Sequence, residues 1–146
     1  MTTYYNIVFN GNLALEEGKK EVEAAYAEDY WAVLPIERME VKQESTRNTT
    51  KKSDASESSS FQIAEEKATK SIQKHSMYMG GKEYNPQIDE AFLLLGKARY
   101  YDQRFIPAKD AFNFILNHYP ESSTINEAKI WTEKTNLRLE YYDMAI

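Results

Sequence analysis

Apolar residues recur at helical spacing through most of the chain, whereas no run of alternating β-branched residues predicts a strand. Gly80-Gly81 predicts the C-cap of a helix that contains Phe61 and Met79. Two earlier helices are predicted over 3–17 and 19–34, meeting near Gly18 and ending before Pro35. The pattern therefore predicts an all-α fold, and its clearest stripe repeats every three or four residues at Phe61, Ala64, Ala68, Ile72, His75 and Met79.

Turn residues divide the second half of the chain into further helices. Asn85-Pro86 predicts the start of the first and Pro120 the end of the second. Thr124 and Glu127 have capping-box spacing and predict the start of the third. These helices are predicted over 86–101, 105–119 and 125–140.

Residues 42–60 break this pattern, with six Ser, three Thr and seven charged residues. Such a segment buries too little apolar surface to offset its ordering entropy, so it predicts a flexible loop or linker. A phosphorylated regulatory segment is the alternative interpretation.

Residues 89–120 resemble a tetratricopeptide repeat (TPR), which is two antiparallel helices in about 34 residues. Gly96 and Ala108 are expected to be small because the two helices approach each other there, and Phe112 to fill the space between them. Arg99 and Ile115 depart from the pattern. With Asp89 as position 1, seven residues stand at signature positions, namely Phe92, Leu95, Gly96, Phe105, Ala108, Phe112 and Pro120.

The fold expected from this repeat is an α-solenoid of stacked TPR hairpins with one flexible Ser-rich loop. A truncated repeat counted from Asn126 would reach its second helix near Tyr142 and leave an apolar face uncovered. The natural protein is therefore expected to continue past Ile146 into further repeats. The predicted parts are a degenerate TPR-like helical hairpin over 1–41, the loop over 42–60, and TPR helices over 61–146 with the clear repeat at 89–120.

Composition and charge exclude several classes of function. The 146 residues carry a net charge of −5 with dispersed basic residues, which disfavours a nucleic-acid partner. The chain has no cysteine, so disulfides, thiolate metal sites and cysteine nucleophiles are absent. A mean hydropathy of −0.69 and the lack of a run of about 18 apolar residues predict no membrane span. The segment 1–4 lacks the regions of a signal peptide, and Met1 is interpreted as the start of a fragment.

No constellation of residues predicts catalysis. His75 and His118 are far apart without metal-ligand spacing, so no catalytic residue, metal or cofactor is expected. His75 lies on the apolar stripe and predicts packing between helices, while His118 predicts a cation at a helix C-terminus. A small hydrolase using His75 and a carboxylate is the alternative from another class.

A docking face for other proteins is predicted on the concave side of the central repeat. TPR grooves bind segments of other proteins, and Tyr and Arg carry much of the energy at such interfaces. The alternative is that the two tyrosines pack between neighbouring repeats. The residues of the predicted face are Lys97, Arg99, Tyr100, Tyr101 and Asn113.

Longer blocks carry a closer resemblance: Tyr5-Asn6, Phe9-Asn10-Gly11-Asn12, Trp31-x-x-Leu34-Pro35-x-Glu37-Arg38-Met39, and the stretches 64–68, 72–77 and 82–90. They are similar to the N-terminal part of the PorW/SprE-type lipoproteins of Bacteroidota. The resemblance implies a non-catalytic scaffold for type IX secretion and gliding motility at the periplasmic side of the outer membrane. It implies protein partners in the periplasmic ring or the outer-membrane translocon, and membrane contact only through a lipid anchor that this chain lacks.

A looser resemblance keeps a second process open. The pattern Phe105-x-x-Ala108-x-x-x-Phe112, followed by Tyr119-Pro120-x-Ser122 and Ala128, is similar to repeats of bacterial envelope lipoproteins. This resemblance implies assistance in outer-membrane protein assembly as the alternative function.

Overall fold

A computed structural model describes residues 2–31, 35, 37–39, 59–83 and 85–144. The all-α prediction is confirmed, apart from one two-residue antiparallel strand pair. Of the predicted loop over 42–60, the structure describes only Ser59 and Ser60. The rest of the loop lies outside the described residues. The described residues form helices α1 (Thr2–Ala25), α2 (Ser60–His75), α3 (Ile88–Tyr101), α4 (Phe105–His118) and α5 (Ile125–Met144), and strands β1 (Tyr78–Met79) and β2 (Lys82–Glu83).

The five helices pack in chain order, each against the next. In addition, α1 contacts α3 and α3 contacts α5, whereas α2 and α4 have no Cα atoms within 8 Å of each other among the described residues. The helices therefore alternate between two layers. The α1/α3/α5 layer forms one side of the molecule, and α2 and α4 form the other.

An aromatic cluster joins α3, α4 and α5. Tyr100 and Phe112 are fully buried. The Trp131 ring stacks on Phe112 with centroids 6.1 Å apart and meets Tyr100 edge-on at 5.1 Å. Such pairs add specific geometry to the burial of large apolar side chains, so they fix how α5 sits on the preceding hairpin.

Helix α1 runs without a break through Gly18, so the predicted pair of helices over 3–17 and 19–34 is wrong. A Cβ atom at Gly18 would lie 2.7 Å from Phe61 Cε1, which shows that this glycine permits close packing of α1 on α2 rather than a turn. The chain leaves the helix after Ala25. The first hairpin is consequently α1 with α2, not a pair of helices within 1–41.

Helix α2 ends at His75, earlier than the glycine pair that was predicted to cap it. The Glu83 carboxylate accepts hydrogen bonds from Met77 N and from Ser76 Oγ, both at 2.6 Å, and holds the chain in an extended path. Gly80 and Gly81 have φ of 58° and 83° and form the tight turn between β1 and β2. Glycine pairs serve both helix ends and hairpin turns, which is why the local signal was misassigned.

Helix α5 continues to Met144, so the helix expected to begin near Tyr142 is not separate. No Gly or Pro occurs after Pro120, and nothing local interrupts the helix. The Thr124 hydroxyl does not close a capping box but donates to Asp89 Oδ2 at 3.1 Å.

Candidate interaction surface

The contact between α3 and α4 centres on Gly96. A Cβ atom there would lie 2.7 Å from Phe112 Cδ1 and Cζ, and nearer still to Cε1. Ala108 is fully buried beside this contact, and Phe92 stacks on Phe114 with ring centroids 4.3 Å apart. Bulk at Gly96 would therefore push the two helices apart. The other signature residues, Leu95, Phe105 and Pro120, are respectively buried, buried and exposed.

An ion-pair network binds the Arg99 side chain. Arg99 Nε donates to Glu65 Oε1 at 2.9 Å, and Arg104 donates to the other carboxylate oxygen. Burial would raise the pKa of Glu65, but the hydrogen bonds from Arg104 and Arg99 outweigh it and hold that pKa below its ordinary value. Arg99 also donates to the Pro107 carbonyl oxygen at 3.3 Å. It therefore ties α2 to α3 and α4 and is not free to meet a partner.

The two tyrosines of the predicted docking face are core residues, which corrects that expectation. Tyr100 is 0% exposed and Tyr101 is 9% exposed. Their rings meet at right angles with centroids 5.4 Å apart, and both contact Trp131. Burial raises the pKa of Tyr100 to about 12. The large phenol rings fill the junction of α3, α4 and α5.

The two remaining residues of the predicted face lie on different layers. Lys97 on α3 pairs with Glu127 on α5, and its Nζ lies 5.5 Å above the Trp131 ring. Asn113 lies on α4, in the other layer, and is half-buried. The five predicted residues therefore do not form one surface, although Lys97 does belong to the α1/α3/α5 layer.

A better candidate surface is the α1/α3/α5 layer itself. Lys19 Nζ lies 5.6 Å from the Tyr101 ring centroid, and Lys134 Nζ lies 4.5 Å from that of Trp131. Ammonium groups held over aromatic rings in this way are positioned to pair with carboxylates. Residues 37–39 lie against this layer, and sequence periodicity gave no sign of that contact. The one local signal was the apolar Met39 between the charged residues Arg38 and Glu40.

A cleft of about 490 Å³ opens between the β1–β2 hairpin and the loop that joins α4 to α5. At its wall the buried Asp89 accepts hydrogen bonds from the hydroxyls of Ser122 and Thr124. Burial raises the pKa of Tyr119 on the same wall to about 12. The hydrogen bonds that Asp89 accepts join the start of α3 to the start of α5, so Asp89 has a structural role.

The two histidines lie on different helices, His75 on α2 and His118 on α4. His118 is exposed, and its ring stacks on Phe114 with its Nδ1 3.1 Å from the Phe114 carbonyl oxygen. His75 is half-buried at the last residue of α2. Within the described ranges, no three His, Asp or Glu side chains come together as a metal site requires.

No protein-family model matches this chain, and no curated protein matches its sequence. In the part of the chain that the structure describes, no helix has both the length and the apolar character to cross a bilayer.

Proposed function

We propose that this chain is a TPR scaffold without catalytic activity, one section of an α-solenoid that binds other proteins. The observation that carries the proposal is the alternation of layers, in which α1, α3 and α5 touch in series while α2 and α4 do not. Stacked helical hairpins produce that arrangement because each repeat contacts only its neighbours. The tight Gly96–Phe112 contact supports the same assignment, since both residues stand at signature positions.

The binding surface in this proposal is the α1/α3/α5 layer. It carries cations held over aromatic rings, whereas the ion pairs of Glu65 tie the opposite side of α3 to its neighbours. Aromatic and cationic groups held rigidly lose little entropy on binding, so they favour a protein partner.

The process that we propose rests on the resemblance to PorW/SprE-type lipoproteins. The scaffold would connect the periplasmic ring with the outer-membrane translocon in type IX secretion and gliding motility, at the periplasmic side of the outer membrane. Deleting the gene in its own bacterium should abolish secretion of type IX cargo and surface gliding. A general loss of outer-membrane proteins would instead favour the assembly function, and normal secretion would refute the proposed process.

Site-specific photo-crosslinking tests the surface independently of the process. A photoreactive residue placed at Glu23 or Glu127 is exposed on the α1/α3/α5 layer, and one placed at Ile106 is exposed on α4 as the matched control. We expect adducts with envelope proteins from the first two positions and not from the third. Adducts only from position 106 would assign binding to the other layer.

A further inference from the structure

Residues 37–39, which we call the strap, contact all three helices of the α1/α3/α5 layer. Met39 is only 3% exposed. Together with Val22 of α1 and Tyr101 of α3, it lines a partly open cleft of only about 10 Å³. The Met39 side chain therefore fits this site closely.

Charge complementarity adds a second anchor. The Glu37 carboxylate lies 2.5 Å from Lys134 Nζ of α5, and Lys134 in turn lies over the Trp131 ring. Glu37 retains 18% of its side-chain exposure, so water screens this pair only partly. The layer thus receives a carboxylate at one point and a long apolar side chain at another.

Among the described residues, the strap is held by side chains rather than by backbone hydrogen bonds to the helices. Its Met39 N–H donates to the Glu37 carbonyl oxygen at 2.9 Å, within the strap itself. Arg38 is 70% exposed and pairs with Glu28 in the turn after α1. Among the described residues, no backbone hydrogen bond joins the strap to a helix. A bound extended peptide is held in a similar way, by side chains that contact the surface on both sides of an exposed residue.

We propose that the strap is a displaceable intramolecular occupant of the docking site on this layer. The partner is an extended protein segment with a carboxylate two residues before a methionine-sized apolar side chain, and it competes with the strap. The inference rests on the proposed binding function of the layer. Because a tethered occupant competes at an effective concentration of about millimolar, it lowers the apparent affinity for such a segment.

Thiol labelling measures whether the strap opens by itself. The natural chain has no cysteine, so Met39→Cys introduces a single thiol at the strap, and Ser71→Cys introduces one at a fully buried position of α2 as the matched control. We expect the Met39→Cys thiol to react at least 100-fold faster with a disulfide reagent, at a rate insensitive to low urea. Equal rates for both thiols, rising together with urea, would show that the strap opens only on global unfolding and would overturn the proposal.

Peptide binding measures whether the vacated site accepts the predicted chemistry. A fluorescent peptide of residues 35–41 is titrated by anisotropy against the natural chain and against Glu37→Lys, which places a cation opposite Lys134. We expect the variant to bind the peptide at least tenfold more tightly, and to bind a peptide with the Glu37 and Met39 residues exchanged at least tenfold more weakly. Equal affinity of the two proteins, or of the two peptides, would overturn the proposal.

Two further measurements separate the causes of a negative result. In the Met39→Cys background, Glu37→Lys should accelerate labelling, and adding Lys134→Glu should slow it again by restoring the charge pair. An unfolded circular dichroism spectrum for Glu37→Lys would show that the strap is an integral part of the fold, against the proposal. Failure of these tests with intact crosslinking from Glu23 and Glu127 would leave the scaffold function standing and remove only the strap.

Discussion

Substituting Gly96 by alanine tests the packing on which the repeat assignment depends. Alanine normally stabilises a helix interior by about 1 kcal/mol relative to glycine. Here the new Cβ would lie 2.7 Å from two atoms of the Phe112 ring, and nearer still to a third. That ring is fully buried and stacked on Trp131, so any displacement disturbs its packing. Overpacking of this kind costs about 1–3 kcal/mol.

We expect the overpacking to prevail, because a cost at the upper end of that range, about 3 kcal/mol, less the gain of about 1 kcal/mol from the helix preference of alanine, leaves Gly96→Ala about 2 kcal/mol lower in unfolding free energy. For a urea m-value of about 2 kcal/mol/M, the unfolding midpoint measured by circular dichroism falls by about 1 M. Gly96→Leu should open or unfold the central hairpin outright. A midpoint for Gly96→Ala equal to or above that of the natural chain, with an unchanged m-value, would refute the reasoning.

Two comparisons isolate the ring contact as the cause. Gly11→Ala is the comparison without a ring contact, since its Cβ would lie 2.6 Å from Leu94 Cδ2 and 3.2 Å from Lys67 Cβ. We expect that control to stay within about 1 kcal/mol of the natural chain, because the helix preference of alanine offsets the smaller overlap. Phe112→Leu should rescue Gly96→Ala with a coupling energy of about 1 kcal/mol or more, as for residues in direct contact.

Two other perturbations probe the ion-pair network and the aromatic cluster. Glu65→Gln should cost about 1 kcal/mol at pH 7, allowing for solvent screening, with the exposed Glu66→Gln as control. Because the folded-state pKa of Glu65 is lowered, its contribution is present above the unfolded pKa and is lost as pH falls through the folded pKa, so urea midpoints of the two variants should converge once the pH lies below the folded-state pKa. Tyr100→Phe should raise stability by about 1 kcal/mol in thermal unfolding, since no described residue hydrogen-bonds that buried hydroxyl, and a loss of stability would indicate a partner for it.

Local signals predicted the central hairpin well. The predicted bounds of α3 and α4 agree with the structure to within one residue at three of their four ends, because Pro120 and the turn at 102–104 act on the backbone directly. Gly96 could also be identified in advance, since a small residue at that register position has a packing reason. The docking face was predicted less well. Periodicity shows which helix a residue belongs to, but it does not show which neighbouring helices will cover that residue.

The sequence by itself determined that the chain is helical and where its central helices turn, because propensities, prolines and caps act over a few residues. Tertiary structure decided the rest. Gly18 lies inside a continuous helix because Phe61 packs against it, and Tyr100 and Tyr101 are core residues because Trp131 arrives from α5. The position of the strap could not be predicted from the sequence either, because Glu37 and Lys134 are 97 residues apart in the chain. Contacts of that separation depend on how the helices stack, and no local pattern encodes them.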